Sequence, residues 1–533
     1  MNFWKKTYVI TALCMIAAGV IYLLLPLSKE SEWQKAEKET EALEPAELLG
    51  NVLYRMNENW IETSNGKYMV SENTQWIANG QLMVNGKSRF LGKNVFLTGD
   101  NEGMIIKVET QQDLSMPQRL RIVLAEDAAI EDYLHSKVAV SCESAFWSIQ
   151  DGSVCAHPPG AEIEIGELVH RSIFFTARES DALTLVTANG TAVYQGQLEV
   201  TTDHNGDYYI VNEVPLETYL KGVVPAEMPG SYGEEAAKVQ AVCARSYACR
   251  QWLNSDKFAV WGAHMDDSTR SQVYGGVIEH EASIKGVEDT WGQILVYDEQ
   301  PIAAHYFSTS CGYTASADEV WGGSRPVYET GTAQYTEGVY GNLGEEEAFH
   351  AFITDDAVQA FDQHSPWFRW SVLLNMETLQ EMIDRYFSEP RTVKVVKEYA
   401  MESKEIDGIG SLVDLFVYER SETGMVKAVV LVGSEITVVI ETPMEIRRLL
   451  GGISVELANG EAAGERELFP SAFFSIEKTK DTKEKLVSIK ICGGGYGHGV
   501  GMSQNGVKGL VDAGYSYQHI LGHYFPHTVL TNL

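Results

Sequence analysis

The stretch VPLETYLKGVVPAEMPGSYGEEAAKVQAVCARSY, residues 214–247, decides the fold class, because the hydrophobic pattern changes within it. Strand-like segments separated by turn signals run from Arg119 to about Glu217. Further on, Ser231-Tyr232-Gly233-Glu234 fits a capping box, which satisfies free N–H groups at a helix start. A helix of about 20 residues is predicted to follow and to end near Asn254. The pattern therefore predicts an α+β fold.

Small residues form one stripe of this helix at spacings that bring them to the same face: Ala237, Ala241, Ala244 and Ala248. Such a stripe lets another backbone approach closely, so we predict that it packs. Polar side chains flank the stripe, with Gln240 and Tyr247 on one side and Lys238 and Arg245 on the other. These flanks either line a cleft or form a solvated helix face.

The same stretch resembles the stage II sporulation protein D family, also called SpoIID/LytB, through the phrases VPLETYLKGVV, EMP and AAKVQAVCARSY. Further matching phrases follow in the family order: DDSTRSQVYGG at 266–276, the segment 292–322, SPWFRW at 365–370 and the glycine-rich segment 493–525. The resemblance implies a β-rich SpoIID-type domain over 118–533 that carries a catalytic helix. Region 337–474 diverges, and its segments VKAVVLV and EITVVIE are predicted to form a hairpin beside a helix at TLQEMIDRYF.

The resemblance implies lytic transglycosylase activity on peptidoglycan, cleaving between N-acetylmuramic acid and N-acetylglucosamine to leave a 1,6-anhydro end. The family prefers glycan already stripped of its peptides by a partner amidase. Glu227 matches the catalytic glutamate of the family phrase EMP. The resemblance therefore makes Glu227 the candidate catalytic residue.

One carboxyl group is chemically sufficient for such a reaction. It protonates the departing oxygen, and the sugar's own C6 hydroxyl attacks the anomeric carbon and returns a proton, so no second carboxylate is needed. The group must be protonated at rest, and Val223, Val224 and Met228 are candidates for the apolar surroundings that favour this. The alternative for Glu227 is a surface carboxylate near a helix N-terminus.

The segment Gly493–Gly501, followed by Met502-Ser503-Gln504, is the second candidate feature. Its glycines permit positive φ angles and close backbone approach, whereas the spacing of a phosphate loop is absent. His498 either donates to a sugar or positions the acid, and the alternative is a structural histidine that holds the loop in place. Ser503 is predicted to cap a short helix and Gln504 to face the cleft.

Other polar and aromatic side chains are candidates for sugar contacts. In the STSCGYT segment, Ser308 and Ser310 offer hydroxyls, and Tyr313 or Trp321 offers a ring for stacking. Asp267, Gln272 and Tyr274 are candidates for the wall of the site. Arg245 is a candidate to bind the lactyl carboxylate of muramic acid, the alternative being an ion pair at the edge of the core.

Composition narrows the functional classes. The 533 residues contain 41 Lys plus Arg against 74 Asp plus Glu, a formal charge of −33, which disfavours nucleic acid as a partner. The seven cysteines form no CxxC pair, and one or two disulfides remain open, with Cys142–Cys155 the most plausible local pair.

The N-terminal segment suggests a membrane anchor. Residues 8–27 carry no charge, follow Lys5-Lys6 and precede an acidic segment. We predict a cytoplasmic tip and transmembrane helix over 1–27, an acidic stalk over 28–50 and a small β-rich module over 51–117. A single-pass cell-membrane protein with its N-terminus inside and its bulk extracytoplasmic follows, with a cleaved signal peptide as the alternative.

The sequence predicts neither a cofactor nor a metal, since Trp261–Tyr274 holds His264 but no Cys for the zinc site of some family members. Peptidoglycan strands are the predicted partner, with a cell-wall amidase and other sporulation or engulfment membrane proteins as further candidates. Two other functions stay open. One is a non-catalytic, glycan-binding amidase enhancer, and the other is a metal-dependent cell-wall hydrolase.

Overall fold

A computed structural model describes residues 51–533, apart from 128–131, 151, 167–169, 204, 336–339 and 398–399. The described chain forms two compact units. Unit 1 extends to Ile294 and includes 300–303 and 531–533, whereas unit 2 contains 295–299 and 304–530. Both units combine strands and helices, which confirms the predicted mixed α+β, β-rich fold class.

Unit 1 begins with a six-stranded sheet and continues with sheets of seven and four strands. The first comprises Leu53–Met56, Trp60–Thr63, Gly66–Ala78, Gln81–Leu82, Phe96–Gly99 and Ile105–Thr110. The seven-stranded sheet runs, in spatial order, Ser153–His157, Phe146–Gln150, Arg171–Thr176, Gln197–Thr202, Tyr208–Pro215, Arg119–Leu124 and Met265–Asp266. The four-stranded sheet contains Glu162–Glu164, Val138–Cys142, Ala182–Thr187 and Gly190–Gln195.

The helices of unit 1 are α1 (Leu216–Glu227), α2 (Glu234–Asn254) and α3 (Glu281–Asp289). The alanine stripe of α2 is buried, as predicted. A Cβ atom added to Gly286 of α3 would lie 2.6 Å from the Cβ of Ala237, so the two helices meet through small residues. Only a glycine at this position permits that approach.

One expectation for this region was wrong, and one helix was not predicted. The strands end at Pro215, close to the predicted end at about Glu217, and the unpredicted helix α1 starts at Leu216. The start of α2 lies at Glu234 and not at a Ser231 capping box, because Gly230–Tyr232 form a 3₁₀ turn and Gly233, with φ 92°, redirects the chain. The predicted end of α2 at Asn254 is confirmed.

Unit 2 contains a five-stranded sheet, a four-stranded sheet and a short parallel pair. The five-stranded sheet runs Ala400–Ile406, Arg391–Lys397, Thr437–Glu441, Val426–Gly433 and Leu412–Arg420, which confirms the predicted hairpin. The four-stranded sheet runs Glu456–Leu457, Trp370–Asn375, Leu486–Gly493 and Phe474–Lys480. The parallel pair joins Tyr306–Phe307 to Met502–Ser503. Three further strands each include residues assigned to unit 1, and they cover Gln293–Tyr297, Gln300–Pro301 and Val529–Asn532.

The helices of unit 2 are α4 (Ala317–Trp321), α5 (Glu346–Ile353), α6 (Met376–Tyr386), α7 (Pro443–Leu449), α8 (Gln504–Asp512) and α9 (Tyr517–Tyr524). Helix α6 confirms the prediction for TLQEMIDRYF, and the Asn375 side chain caps it by accepting from Thr378 N. The side chain of Ser503 accepts from Gly506 N, which confirms its predicted role as the cap of α8.

The Cys142–Cys155 pair is not bridged, since both are free thiols. Their strands belong to different sheets, with Val138–Cys142 in the four-stranded sheet and Ser153–His157 in the seven-stranded one. Sequence proximity alone was therefore misleading here.

The single-pass membrane localisation needs correction. Across the part of the chain that the structure describes, we find no helix of the length and apolar character that crossing a bilayer requires. The predicted anchor and stalk lie outside the described residues. The structure gives that localisation no support.

Candidate functional site

Glu227 is the last residue of α1, the helix that leaves the central strand Tyr208–Pro215. Tyr219, Leu220 and Val223 are buried along this helix. Gly222 lies so close to the Tyr274 ring and to Gly276 that an added Cβ would meet Tyr274 Cε2 at 2.6 Å and Gly276 O at 2.2 Å. Tight packing of α1 on this segment therefore fixes where Glu227 stands.

The Glu227 carboxyl group is half-buried and has a defined partner. Its Oε1 accepts a hydrogen bond of 2.7 Å from Val273 N. The backbone carbonyls at this end of α1 carry partial negative charge. Glu227 thus lies at the C-terminal end of a helix, which replaces the N-terminal environment considered from the sequence.

Two tyrosines and a glutamine accompany this carboxyl group. The buried Tyr219 hydroxyl donates to Gln272 Oε1 at 3.1 Å, and Gln272 Nε2 donates to Ala244 O at 3.3 Å. Burial raises the pKa of Tyr247, and the charges of Asp266 and Glu227 raise it further. Burial raises the pKa of Tyr219 well above its usual value, with smaller contributions from neighbours that include Glu227. Both phenols therefore stay protonated. Tyr219 donates its single O–H to Gln272, and the Tyr247 hydroxyl is a possible hydrogen-bond donor near Glu227.

Two consecutive carboxyl groups occupy the strand and turn beyond this cluster. Asp266 is fully buried and accepts from Tyr133 Oη at 3.0 Å and from Ser268 Oγ, with Arg270 Nη1 at 3.7 Å. Asp267 accepts from Ala125 N at 3.0 Å. Burial raises the pKa of Asp267 to about 7, and the neighbouring Asp266 also contributes to the increase.

Asp267→Asn is expected to reduce the loss of stability that the protein suffers as pH rises. The pKa of Asp267 is about 7 in the folded protein, whereas it is about 3.9 in the unfolded chain. The contribution of this carboxyl group to the free energy of unfolding is therefore complete below about pH 4 and is lost as pH rises through 7. Asn keeps an acceptor for Ala125 N but does not ionise. We compare the free energy of unfolding of the variant with that of wild type at each pH. This difference should shift in favour of the variant by on the order of 2–4 kcal/mol between pH 4 and pH 8.

Urea denaturation at both pH values measures this difference. Asp113→Asn is the matched control, because the exposed Asp113 carboxylate also accepts one backbone N–H, from Ser115 at 2.9 Å. Identical pH profiles for wild type and Asp267→Asn would show that this carboxyl group is not held neutral.

Three other predicted binding residues of unit 1 have buried side chains. Gln240 and Arg245 have no exposed surface. Arg245 forms a bidentate pair with Glu217, at 2.8 and 2.7 Å, which is the alternative role weighed from the sequence. Tyr274 is also buried, and its hydroxyl donates to Asn212 Oδ1 at 2.9 Å. These contacts favour roles within the fold, and substrate binding by these three residues stays a prediction.

In unit 2, the glycine-rich loop lies against the segment that contains STSCGYT. An added Cβ at Gly501, with φ 76°, would meet His305 O at 2.2 Å. His498 Nδ1 accepts from Val500 N at 3.1 Å, so Nε2 carries the proton and donates to Tyr306 O at 2.9 Å. Burial lowers the pKa of His498 to about 3. His498 is therefore neutral and ties the loop to its neighbour.

Asp362 organises this neighbourhood, and the sequence analysis missed it. It is fully buried, and its carboxylate accepts from Ser310 N at 2.9 Å, from Ser310 Oγ at 2.7 Å and from Ser503 Oγ. The buried Ser310 hydroxyl thus bonds within the protein. No local pattern marks Asp362, which lies just before SPWFRW.

The other candidates of unit 2 differ in exposure. Ser308 is half-buried, and its carbonyl accepts from Asn505 N at 2.9 Å. Tyr313 is half-buried, with its ring 6.3 Å from that of Tyr335, and Gln504 is nearly buried at the start of α8. The predicted site residues therefore form two groups, one in each unit.

The described residues contain no group of three or more His, Cys, Asp and Glu side chains arranged to hold a metal ion. His264 is buried, accepts from Arg121 N at 2.9 Å and contacts Ser88 O at 3.1 Å. Burial lowers the pKa of His264 to about 3. This histidine therefore bonds to the backbone on both sides of its ring.

Comparison with known proteins identifies a SpoIID-type domain in this α+β chain. Residues 204–297 match the family model described as Stage II sporulation protein, and this range contains Glu227. Over this range the chain carries the SpoIID domain, as the resemblance in its sequence predicted. Residues 315–501 match a second model, described as a domain of unknown function (DUF8618).

Three relatives support this assignment. The amidase enhancer of Bacillus subtilis (strain 168) is 30% identical over 332 residues, which cover 59% of this chain and 40% of that protein. Stage II sporulation protein D of the same organism is 38% identical over 133 residues, covering 22% and 39%. Stage II sporulation protein D of Bacillus amyloliquefaciens is 26% identical over 328 residues, covering 59% and 74%. The chain thus spans about two fifths of the first two relatives.

Proposed function

We propose that this chain is a peptidoglycan lytic transglycosylase that acts on peptide-free glycan strands with Glu227 as its single general acid and base. The position of Glu227 is the observation on which the proposal depends. A half-buried carboxyl group held by Val273 N, with two protonated tyrosines nearby, has suitable surroundings for proton transfer to a sugar oxygen. The SpoIID domain over residues 204–297 supports the same assignment.

The reaction balances with one carboxyl group. Glu227 donates its proton to the glycosidic oxygen, which leaves on N-acetylglucosamine. The C6 hydroxyl of N-acetylmuramic acid bonds to its own anomeric carbon and returns a proton to Glu227. Water is not consumed, so the product ends in a 1,6-anhydro ring. Tyr219 and Tyr247 lie near enough to Glu227 for its charge to raise the pKa of both phenols.

A second function is favoured by one specific observation, the 30% identity to a protein named amidase enhancer over 332 residues. In that case the chain binds glycan and stimulates an amidase without cleaving glycan itself. Amidase stimulation by a Glu227→Gln chain that has lost cleavage would show that both functions coexist.

Mass spectrometry of digested glycan tests the main proposal. Purified peptide-free strands incubated with the protein are expected to yield fragments with anhydro-muramic ends, 18 mass units below the hydrolysis product, because no water is added. Reducing ends would indicate hydrolysis instead. Intact strands together with amidase stimulation would favour the enhancer function.

A further inference from the structure

Trp321 is an exposed aromatic residue in unit 2 that none of the hydrogen-bonding networks described above uses. It ends the short helix α4, and 50% of its surface is exposed. Gly322 and Gly323 follow with φ of 74° and 83°, and a Cβ added at either position would meet no atom within 4 Å. An indole this exposed, beside an open turn, presents a flat aromatic surface that a ligand can reach.

Two imidazole rings support the indole. The ring centroid of Trp321 lies 4.6 Å from that of His305 and 5.3 Å from that of His498. His305 is fixed in turn by the buried Glu329, whose Oε1 lies 2.9 Å from His305 Nδ1 and 3.1 Å from His305 N. The Trp321 ring is therefore held in place while half of its surface stays open.

The segment 321–329 carries two further groups suited to a carbohydrate that bears carboxylates. The Arg325 side chain is 46% exposed and forms ion pairs with Asp318 at 3.0 Å and Glu319 at 3.8 Å, so its guanidinium is held at the surface of a chain of net charge −33. The rings of Tyr328 and Tyr297 pack at an angle of 50°, with centroids 5.6 Å apart, and Tyr297 is exposed. Aromatic rings pack on pyranose faces and a guanidinium pairs with carboxylates, whereas an apolar peptide would be better served by exposed aliphatic side chains.

We infer that Trp321, supported by His305 and His498, forms a glycan-binding platform in unit 2, with Arg325 favouring strands that carry muramic carboxylates. The inference takes the nature of the glycan from the proposed function. Its ligand is a pyranose chain that stacks on the indole. The platform is a binding element separate from the Glu227 carboxyl group in unit 1, so binding and cleavage can be measured independently.

The test is binding of the full chain carrying Glu227→Gln to purified peptide-free glycan strands, by co-sedimentation or calorimetry. Adding Trp321→Ala is expected to weaken binding by about 5–10-fold, in line with the loss of one aromatic stacking contact. Trp321→Phe keeps a ring and should restore most of the affinity. Trp291→Ala is the matched control, because Trp291 is an exposed tryptophan of unit 1 and should leave binding unchanged.

The Arg325→Gln variant tests the contribution of the guanidinium charge to glycan binding separately from that of stacking on Trp321. It should weaken binding to muramic strands while leaving binding to chitin oligosaccharides, which carry no carboxylate, unchanged. Equal affinity of Trp321→Ala and its parent, an equal loss with Trp291→Ala, or a parent chain that binds no glycan would overturn the inference. The proposed function is tested separately, by whether the wild-type chain produces anhydro ends. Failure of the cleavage proposal can therefore be distinguished from failure of the binding proposal.

Discussion

Glu227→Gln is expected to lower the rate of glycan cleavage by about 10²–10⁴-fold, the range that general acid–base catalysis supplies. The amide cannot give a proton to the glycosidic oxygen or take one from the C6 hydroxyl. Its oxygen can still accept the Val273 N–H that Glu227 Oε1 accepts at 2.7 Å. The substitution therefore removes the chemistry while keeping this contact, and release of soluble fragments from peptide-free strands measures the effect.

Glu234→Gln is the matched control for this prediction. Glu234 starts the next helix along the chain and pairs with Lys285 at the surface, where both side chains are about half exposed. Its loss should leave the cleavage rate within about two-fold, since exposed ion pairs contribute little. Cleavage that survives in Glu227→Gln would rule out a single-carboxyl mechanism at this position.

The pattern of neighbouring residues in the sequence was sufficient to predict much of the fold. The hairpin at 426–441, the helix Met376–Tyr386 and the end of α2 were predicted because periodicity and capping residues act over a few neighbouring positions. The Ser503 cap of α8 followed in the same way. In these elements, the conformation that the local sequence prefers is also the one that the tertiary structure contains.

Helix α1 is an element that the helix propensity of its residues does not predict. Gly222, Pro225 and the β-branched pair Val223-Val224 disfavour a helix. However, Leu216, Tyr219, Leu220 and Val223 recur at helical spacing and are all buried. Tertiary packing of that face overrides the local preference, and the spacing was the signal that the sequence analysis overlooked.

The candidate site was only partly accessible from sequence. Glu227 stood out through a family resemblance, and its local surroundings alone did not identify it. Its contact with Val273 joins positions 46 residues apart. Asp362 bonds to Ser503 across 141 positions. Contacts over such separations depend on how the strands and helices pack, which no local pattern records.

Glu217→Gln is expected to destabilise unit 1 by about 3–5 kcal/mol, because it leaves the buried charge of Arg245 without its counter-ion. Arg245 has no exposed surface, and its Nε and Nη2 donate to the two Glu217 oxygens at 2.8 and 2.7 Å. Its Nη1 also donates to Gln293 O at 3.0 Å. The pair thus joins α1, α2 and the chain beyond α3, and urea denaturation followed by circular dichroism measures its loss.

The double variant Glu217→Leu/Arg245→Met separates a structural role of Arg245 from a role in binding. Removing both charges should cost less than Glu217→Gln alone, because no unpaired charge remains buried. Lys221→Ala breaks the exposed Lys221–Glu288 pair of α1 and α3 as a control, and should cost less than about 1 kcal/mol. A double variant that is as stable as wild type yet no longer binds glycan would show that Arg245 contacts the substrate. Retained binding would show that its guanidinium serves the fold, since the ion pair alone then accounts for its burial.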